Sequence, residues 1–114
     1  MITVDKLNTF GANTAEGLAR CFGNEALYLK LVATIPGDAT FGKLKDSLAE
    51  KNLKAAFEAA HALKGVLGNL SLTPLYIPVV EITELLRSNT DMDYKSLLDS
   101  ILEKRDELGR LCAE

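Results

Sequence analysis

Apolar residues recur every three or four positions along most of the chain, and no segment alternates long enough between apolar and polar residues to be a convincing β-strand. The pattern therefore predicts an all-α protein. Asn13–Glu16 has the spacing of a capping box and should open a short helix that ends near Gly23. Asn24 should cap a second helix. The expected apolar stripe of that helix consists of Leu27, Leu31 and Ile35.

The middle of the chain contains two further predicted helices. Pro36–Asp38 should break or sharply kink the helix before it, because proline lacks a backbone donor and restricts the residue that precedes it. A third helix then runs to about Lys51, and Asn52 precedes a fourth helix over Leu53–Leu70. The apolar stripe of the third helix consists of Phe41, Leu44 and Leu48.

The residue pattern in the last third of the chain predicts two more helices. The pair Thr73–Pro74 is typical of an N-cap followed by the first helical position. Pro78 should either lose its backbone hydrogen bond or delay the helix until Ile77, and we expect regular helix over Val79–Leu86. Either Asp91 or Asp93 should cap a final long helix. Its buried stripe consists of Leu97, Ile101, Leu108 and Leu111. Amphipathic helices joined by short turns pack best as an antiparallel bundle.

The fourth helix, Leu53–Leu70, has two distinct faces. With His61, the only histidine, at zero degrees on a helical wheel, the apolar residues fill an arc from about 120 to about 280 degrees. That arc contains Leu53, Ala55, Ala56, Ala59, Ala60, Leu63, Val66, Leu67 and Leu70. The other side of the wheel contains Lys54, Phe57, Glu58, Lys64, Gly65, Gly68 and Asn69. His61 therefore lies near the centre of the expected solvent face.

The residues around the histidine indicate a particular chemistry. Gly65 and Gly68 lie within about 40 degrees of His61 on the wheel, although a glycine inside a helix costs roughly 1 kcal/mol relative to alanine. They leave room for another molecule to approach the imidazole. Lys64 places an ammonium group on the same face, where it can neutralise an anion on the ring. An exposed imidazole, cleared space and a neighbouring cation together indicate phosphoryl chemistry.

Composition narrows the class of protein. A chain of 114 residues with 47% hydrophobic residues fits one domain, residues 1–114. The formal net charge of -3 and the lack of a basic cluster argue against nucleic acid as a partner. No apolar run is long enough to span a membrane, and the first residues do not resemble a signal peptide, so we expect a cytoplasmic protein with no membrane association.

Cys21 and Cys112 lack paired spacing and should be reduced, partly buried thiols.

The run from His61 to Gly65 resembles the signature of histidine-containing phosphotransfer (HPt) domains, written loosely as His-x-Leu-Lys-Gly followed by small residues and further glycines. The resemblance implies an HPt-like antiparallel four-helix bundle with an additional short N-terminal helix. It implies that His61 is phosphorylated, that Lys64 is the basic partner of the phosphoryl group, and that Gly65 and Gly68 admit a receiver domain.

The same resemblance implies a function and a set of partners. The histidine would accept a phosphoryl group from the aspartate of a receiver domain, or from a hybrid histidine kinase, and pass it to another response-regulator receiver. The chain should be a monomeric phosphocarrier with no metal or cofactor of its own, and magnesium is expected on the partner receiver. The sequence has neither a phosphate-binding loop nor a carboxylate cluster typical of a metal site.

Further residues are candidates for partner docking. Phe57 lies about one turn before the histidine and is either a lid over the edge of the bundle or an anchor for a partner. Leu72 lies near the same line and would extend an apolar rim, or be tucked into the turn. Lys54 and Glu58 either steer a receiver or are ordinary solvated surface charges.

Three residues differ from the usual HPt signature, and two functions other than phosphotransfer are possible for such a chain. Val66 and Leu67 stand where small residues are more usual in the HPt signature, and both fall in the apolar arc, so they should affect core packing. Ser71 stands where many members have another glycine. That serine mildly favours a degenerate adaptor or inhibitor, which would bind a receiver or kinase without being phosphorylated. A single-histidine hydrolase has little support, because no second histidine or nucleophile set is present.

Overall fold

The computed structural model describes all 114 residues, and it contains seven α-helices and no β-strand. The helices are α1 (Val4–Phe10), α2 (Thr14–Arg20), α3 (Glu25–Thr34), α4 (Thr40–Ala49), α5 (Leu53–Asn69), α6 (Thr73–Arg87) and α7 (Lys95–Ala113). The predicted all-α fold is confirmed. Three helices precede the bundle, whereas the resemblance implied one short N-terminal helix.

Asparagine side chains start three of the helices. Asn13, Asn24 and Asn52 each accept a hydrogen bond from the backbone N–H three residues later. The caps at Asn13 and Asn24 were predicted, whereas Asn52 was predicted only to precede its helix. Helix α1 was not predicted. It begins in the same way, because Oγ1 of Thr3 accepts from the backbone N–H of Lys6. With seven residues, α1 is too short for its apolar period to be evident.

The starts of the last two helices differ from the prediction. Leu72, not Thr73, is the N-cap of α6, and no side chain caps that helix. Tyr94 is the N-cap of α7, and Oδ1 of Asp93 accepts from the backbone N–H of Lys95 at 2.9 Å. Asp93 thus supports the first turn of α7 without being its N-cap.

Pro78 does not delay α6, so the expected late start at Val79 is wrong. The helix is continuous through the proline. A proline inside a helix loses one backbone hydrogen bond and crowds the preceding turn. The apolar face of α6 offsets that cost, since Leu75, Val79 and Ile82 are fully buried in the bundle.

Helices α4 to α7 form the four-helix bundle, in which α5 packs between α4 and α6 and α7 packs on α6. The contacts along α5 and α6 show that the two run antiparallel, because Phe57 meets Arg87 while Gly68 meets Tyr76. Arg105 of α7 lies over a ring of α4, with 5.7 Å between its guanidinium carbon and the ring centroid. These contacts close the bundle.

Helix α3 turns a different face to the core from the one predicted. Tyr28 and Val32 are fully buried, whereas Leu27 and Leu31 are each 39% exposed. The predicted stripe is therefore wrong at both leucines and confirmed only at Ile35, which is buried. Tyr28 takes the inner position because Gly17 leaves room for its ring: a Cβ on that glycine would lie 2.5 Å from Cε1 of the tyrosine.

The N-terminal helices attach to the bundle where α5 ends. The Tyr28 hydroxyl donates to the carbonyl oxygen of Leu70 at 2.9 Å, and the backbone N–H of Asn13 donates to the carbonyl oxygen of Ser71 at 3.0 Å. A Cβ on Gly11 would lie 3.1 Å from Cγ of Pro74. The first three helices are therefore anchored around the turn between α5 and α6.

Ser71 lies in a helix-ending motif. Its backbone N–H donates to the carbonyl oxygen of Gly68, and the N–H of Leu72 donates to that of Leu67, both at 3.1 Å. This pair of bonds is the Schellman arrangement, in which a residue of left-handed conformation follows the helix. Ser71 has that conformation, with φ of 53°, and its buried Oγ has no hydrogen-bond partner. The presence of serine in place of glycine at this position therefore affects how α5 ends.

Both thiols are free, as expected, with Cys21 buried and Cys112 half-buried. None of the seven helices combines the length and the apolar character that crossing a membrane would require.

Candidate functional site

Helix α5 presents His61 on its exposed face, opposite the side that packs in the bundle. The buried residues of α5 are Ala56, Ala59, Ala60, Leu63 and Leu67. His61 is exposed, and neither ring nitrogen takes part in a hydrogen bond within the chain. Leu67 is buried as predicted, but Val66 is 38% exposed, because it lies at the edge of the apolar arc and not over the core.

Phe57 lies directly beside the histidine. Its ring centroid is 5.7 Å from that of His61, and the two planes differ by 19°, which is a stacked arrangement. The phenylalanine is half-buried and packs against the core. The guanidinium carbon of Arg87, on α6, lies 5.0 Å from the same phenyl centroid. These contacts favour a lid over the edge of the bundle, and a docking role for Phe57 stays a prediction.

Two cations and one carboxylate form a chain of contacts on the α6 side of the histidine. Nζ of Lys64 lies 4.0 Å from Oε1 of Glu84. Oε2 of Glu84 accepts from Nε of Arg87 at 3.2 Å. The carboxylate of Glu84 thus lies between the two cations, each of which contacts a different oxygen.

The two glycines differ in what surrounds them. A Cβ on Gly68 would lie 3.0 Å from Cε1 of Tyr76, so the close approach of α6 accounts for that glycine. A Cβ on Gly65 would meet nothing within 4 Å. Because packing within the chain does not require Gly65, its open surface is available to a partner.

A polar cleft of about 430 Å³ begins at these glycines and extends toward the N-terminal helices. Its lining residues are Asn13, Glu16, Arg20, Lys64, Gly65, Gly68, Asn69, Ser71, Thr73 and Tyr76. Helix α2 therefore borders the surface next to the histidine, where Arg20 forms an ion pair with Glu16 at 3.0 Å.

The remaining predicted docking residues fall into two groups. Lys54 and Glu58 are exposed on α5, and neither forms an ion pair. Leu72 is fully buried, so of its two predicted places the apolar rim is wrong and the place in the turn is confirmed. It is buried because the chain reverses there: Leu72 follows the helix stop at Ser71 and is the N-cap of α6.

Sequence reasoning missed Glu84, Arg87 and Tyr76, the residues of α6 that flank the site. The spacing of Glu84 and Arg87 gives a local signal, since residues three apart share a helix face. Their position beside α5 depends on how the two helices pack, which the sequence pattern does not specify. No group of three or more His, Cys, Asp or Glu side chains is arranged to hold a metal ion.

Comparison with known proteins agrees with this architecture. The family model described as "Hpt domain" matches residues 37–114, which contain the whole four-helix bundle and the histidine. No curated protein and no solved structure matches the chain. The match covers more than half of the chain, and so this protein belongs to the Hpt domain family, whose members work with receiver and kinase partners, and the match supports a phosphotransfer-type role in two-component signalling.

Proposed function

We propose that this protein is a phosphorelay intermediate, in which His61 accepts a phosphoryl group from the aspartate of a receiver domain or from a kinase and passes it to another receiver. One observation is the main support. The only histidine of the chain is exposed on the polar face of α5, with Lys64 and the open surface of Gly65 on the same face.

The chemistry needs little from the chain beyond the imidazole. A neutral ring nitrogen of His61 attacks the phosphorus of the aspartyl phosphate in line with the bond that breaks. As the N–P bond forms, the electron pair of the P–O bond returns to the aspartate, which leaves as a carboxylate. The second ring nitrogen keeps its proton or releases it to water. The neutral imidazole is itself a nucleophile, so the step needs no separate activating base.

The partner supplies the rest of the machinery in this proposal. Phosphoryl transfer depends on positioning and on neutralising charge on the phosphoryl oxygens. The magnesium ion and the acidic pocket belong to the receiver. This chain contributes the nucleophile, the ammonium of Lys64 and a surface that lets the receiver approach closely.

The exposed face of α5 is the proposed docking surface. His61 lies near its centre, Gly65 lies one turn after the histidine, and Lys54 and Glu58 lie on the side before it, where their charges steer the receiver. Gly68 is the edge of this surface, because Tyr76 packs against it.

A transfer experiment tests the proposal. A receiver domain charged with acetyl phosphate in the presence of magnesium is mixed with the wild-type protein or with His61→Gln, and intact mass is measured at neutral or basic pH. One acid-labile phosphoryl group on the wild type and none on the variant is the expected result. If charged receivers bind the wild-type protein but none of them transfers a phosphoryl group, the protein is an adaptor and the proposal is wrong.

A further inference from the structure

The acidic residue Glu84 lies beside the two cations nearest to His61, which a phosphorylated histidine would need as partners. Its carboxylate lies 4.0 Å from Nζ of Lys64 and 3.2 Å from Nε of Arg87. Lys64 is three residues after His61, so the two side chains are neighbours on α5. Arg87 is connected to the histidine by the phenyl ring of Phe57. Both cations near the imidazole therefore have the same carboxylate as their partner.

We propose that Glu84 is a positioning residue that competes with the phosphoryl group of His61 for the ammonium of Lys64. The inference rests on the proposed function, since it concerns the phosphorylated state of His61. In the unmodified protein, Glu84 holds the ammonium on the α6 side of the site. When His61 is phosphorylated, Lys64 turns to the phosphoryl oxygens, and Glu84 keeps its contact with Arg87.

The charges and the exposure of these groups support an exchange of partners. A phosphoryl group has a charge of about -1.5 to -2 and three acceptor oxygens, which exceeds the single charge of a carboxylate. The contact between Lys64 and Glu84 is long, and the Glu84 side chain is 54% exposed. Ion pairs of this kind are weak and are screened by salt, so the ammonium can leave Glu84 readily.

Competition of this kind has a thermodynamic consequence. Part of the attraction between Lys64 and the phosphoryl group is cancelled by the loss of the Lys64–Glu84 contact. Glu84 therefore weakens the hold of the protein on the phosphoryl group and favours transfer to the next receiver. This is the behaviour that a carrier requires, because a very stable phosphohistidine would not pass the group on.

The test is the equilibrium constant for phosphoryl exchange between this protein and a receiver domain. In Glu84→Gln we expect a shift of about two- to fivefold toward the phosphorylated protein, the range of a surface ion pair. The shift should shrink at high salt. Glu81→Gln is the matched control: it removes the same charge from an exposed position of α6 that forms no ion pair, and its constant should equal that of the wild type.

A double variant identifies the group through which Glu84 acts. In a Lys64→Gln background, the effect of Glu84→Gln on the exchange constant should vanish, because no ammonium remains to be competed for. The inference is wrong if the effect persists in that background, or if Glu84→Gln and Glu81→Gln behave alike. Loading of the wild type is verified separately with phosphoramidate, a chemical phosphoryl donor for imidazole. If neither a receiver nor phosphoramidate phosphorylates His61, the proposed function fails, and this inference fails with it.

Discussion

The imidazole of His61 lies almost parallel to the phenyl ring of Phe57, with 5.7 Å between their centroids and 19° between their planes. The two residues are four apart, so the helix itself brings their side chains together. Phe57 is in turn fixed by its packing against the core and by the guanidinium of Arg87. The orientation of an exposed histidine is thus tied to the interior of the bundle.

Replacing Phe57 by leucine should release the imidazole from this orientation. Leucine keeps an apolar contact with the core but has no aromatic face for His61 or Arg87. An aromatic pair contributes about 0.5 to 1.5 kcal/mol beyond its buried area, so the unfolding free energy should fall by about 1 kcal/mol. In proton NMR spectra, the imidazole resonances of His61 should move toward their values in short peptides, because the ring current of the phenyl group is lost. Unchanged imidazole shifts in Phe57→Leu would show that the stack is not maintained in solution.

Gly65→Ala should make the protein more stable and impair its function. A Cβ at this position meets nothing within 4 Å, and alanine is better than glycine in a helix by up to about 1 kcal/mol. The unfolding free energy should therefore rise, whereas phosphotransfer from a charged receiver should slow, since the added methyl group obstructs the approach to His61. Urea unfolding and transfer rates measure the two effects separately.

Gly42→Ala is the matched control for this prediction. Gly42 is an exposed glycine of α4, and a Cβ there also meets nothing within 4 Å. The alanine variant should gain a similar stability without any change in transfer rate. Equal transfer rates for the two alanine variants would contradict a docking role for Gly65.

Features that depend on a few neighbouring residues could be predicted from the sequence. The caps at Asn13 and Asn24 were correct because a cap acts through a backbone group only three residues away. The exposed position of His61 was correct because the apolar arc of α5 is wide and its centre is unambiguous. At the edge of that arc the prediction failed, and Val66 is exposed.

Features that depend on packing between helices could not be predicted. Tyr28 is buried in place of Leu27 and Leu31 because Gly17, on another helix, leaves space for its ring. Glu84 reaches the ammonium of the histidine helix only because α6 runs antiparallel to α5 at the required register. The apolar period of each helix contains no information on either contact.

Ser71→Gly should stabilise the fold without changing phosphotransfer. Ser71 has φ of 53°, a conformation that costs a residue with a side chain roughly 1 kcal/mol, and its buried Oγ has no partner. Glycine removes both penalties but makes the unfolded chain more flexible, so we expect a net gain of about 1 kcal/mol in unfolding free energy. Ser71→Ala removes only the hydroxyl and should gain less. A loss of stability in Ser71→Gly would show that the serine hydroxyl has a partner in solution.

Tyr28 should make the fold sensitive to alkaline pH. Burial, together with the nearby Cys21 thiol, raises the pKa of Tyr28 to about 12, whereas a tyrosine in an unfolded chain has a pKa of about 10. Below the lower pKa both states keep the proton, and stability does not depend on this group. Between the two values the unfolded chain loses the proton and the folded protein retains it, so the unfolding free energy falls as the pH rises.

The variant Tyr28→Phe isolates this contribution. It loses the hydrogen bond to the carbonyl oxygen of Leu70 and should be less stable than the wild type by about 1 kcal/mol at neutral pH. Its stability should fall less steeply above about pH 10, because the group that titrates in the unfolded chain is gone. A smaller alkaline slope should remain, since burial and then Asp91 also raise the pKa of Tyr94. Urea unfolding at a series of pH values measures both effects, and parallel curves for wild type and variant would exclude Tyr28 as the source of the alkaline sensitivity.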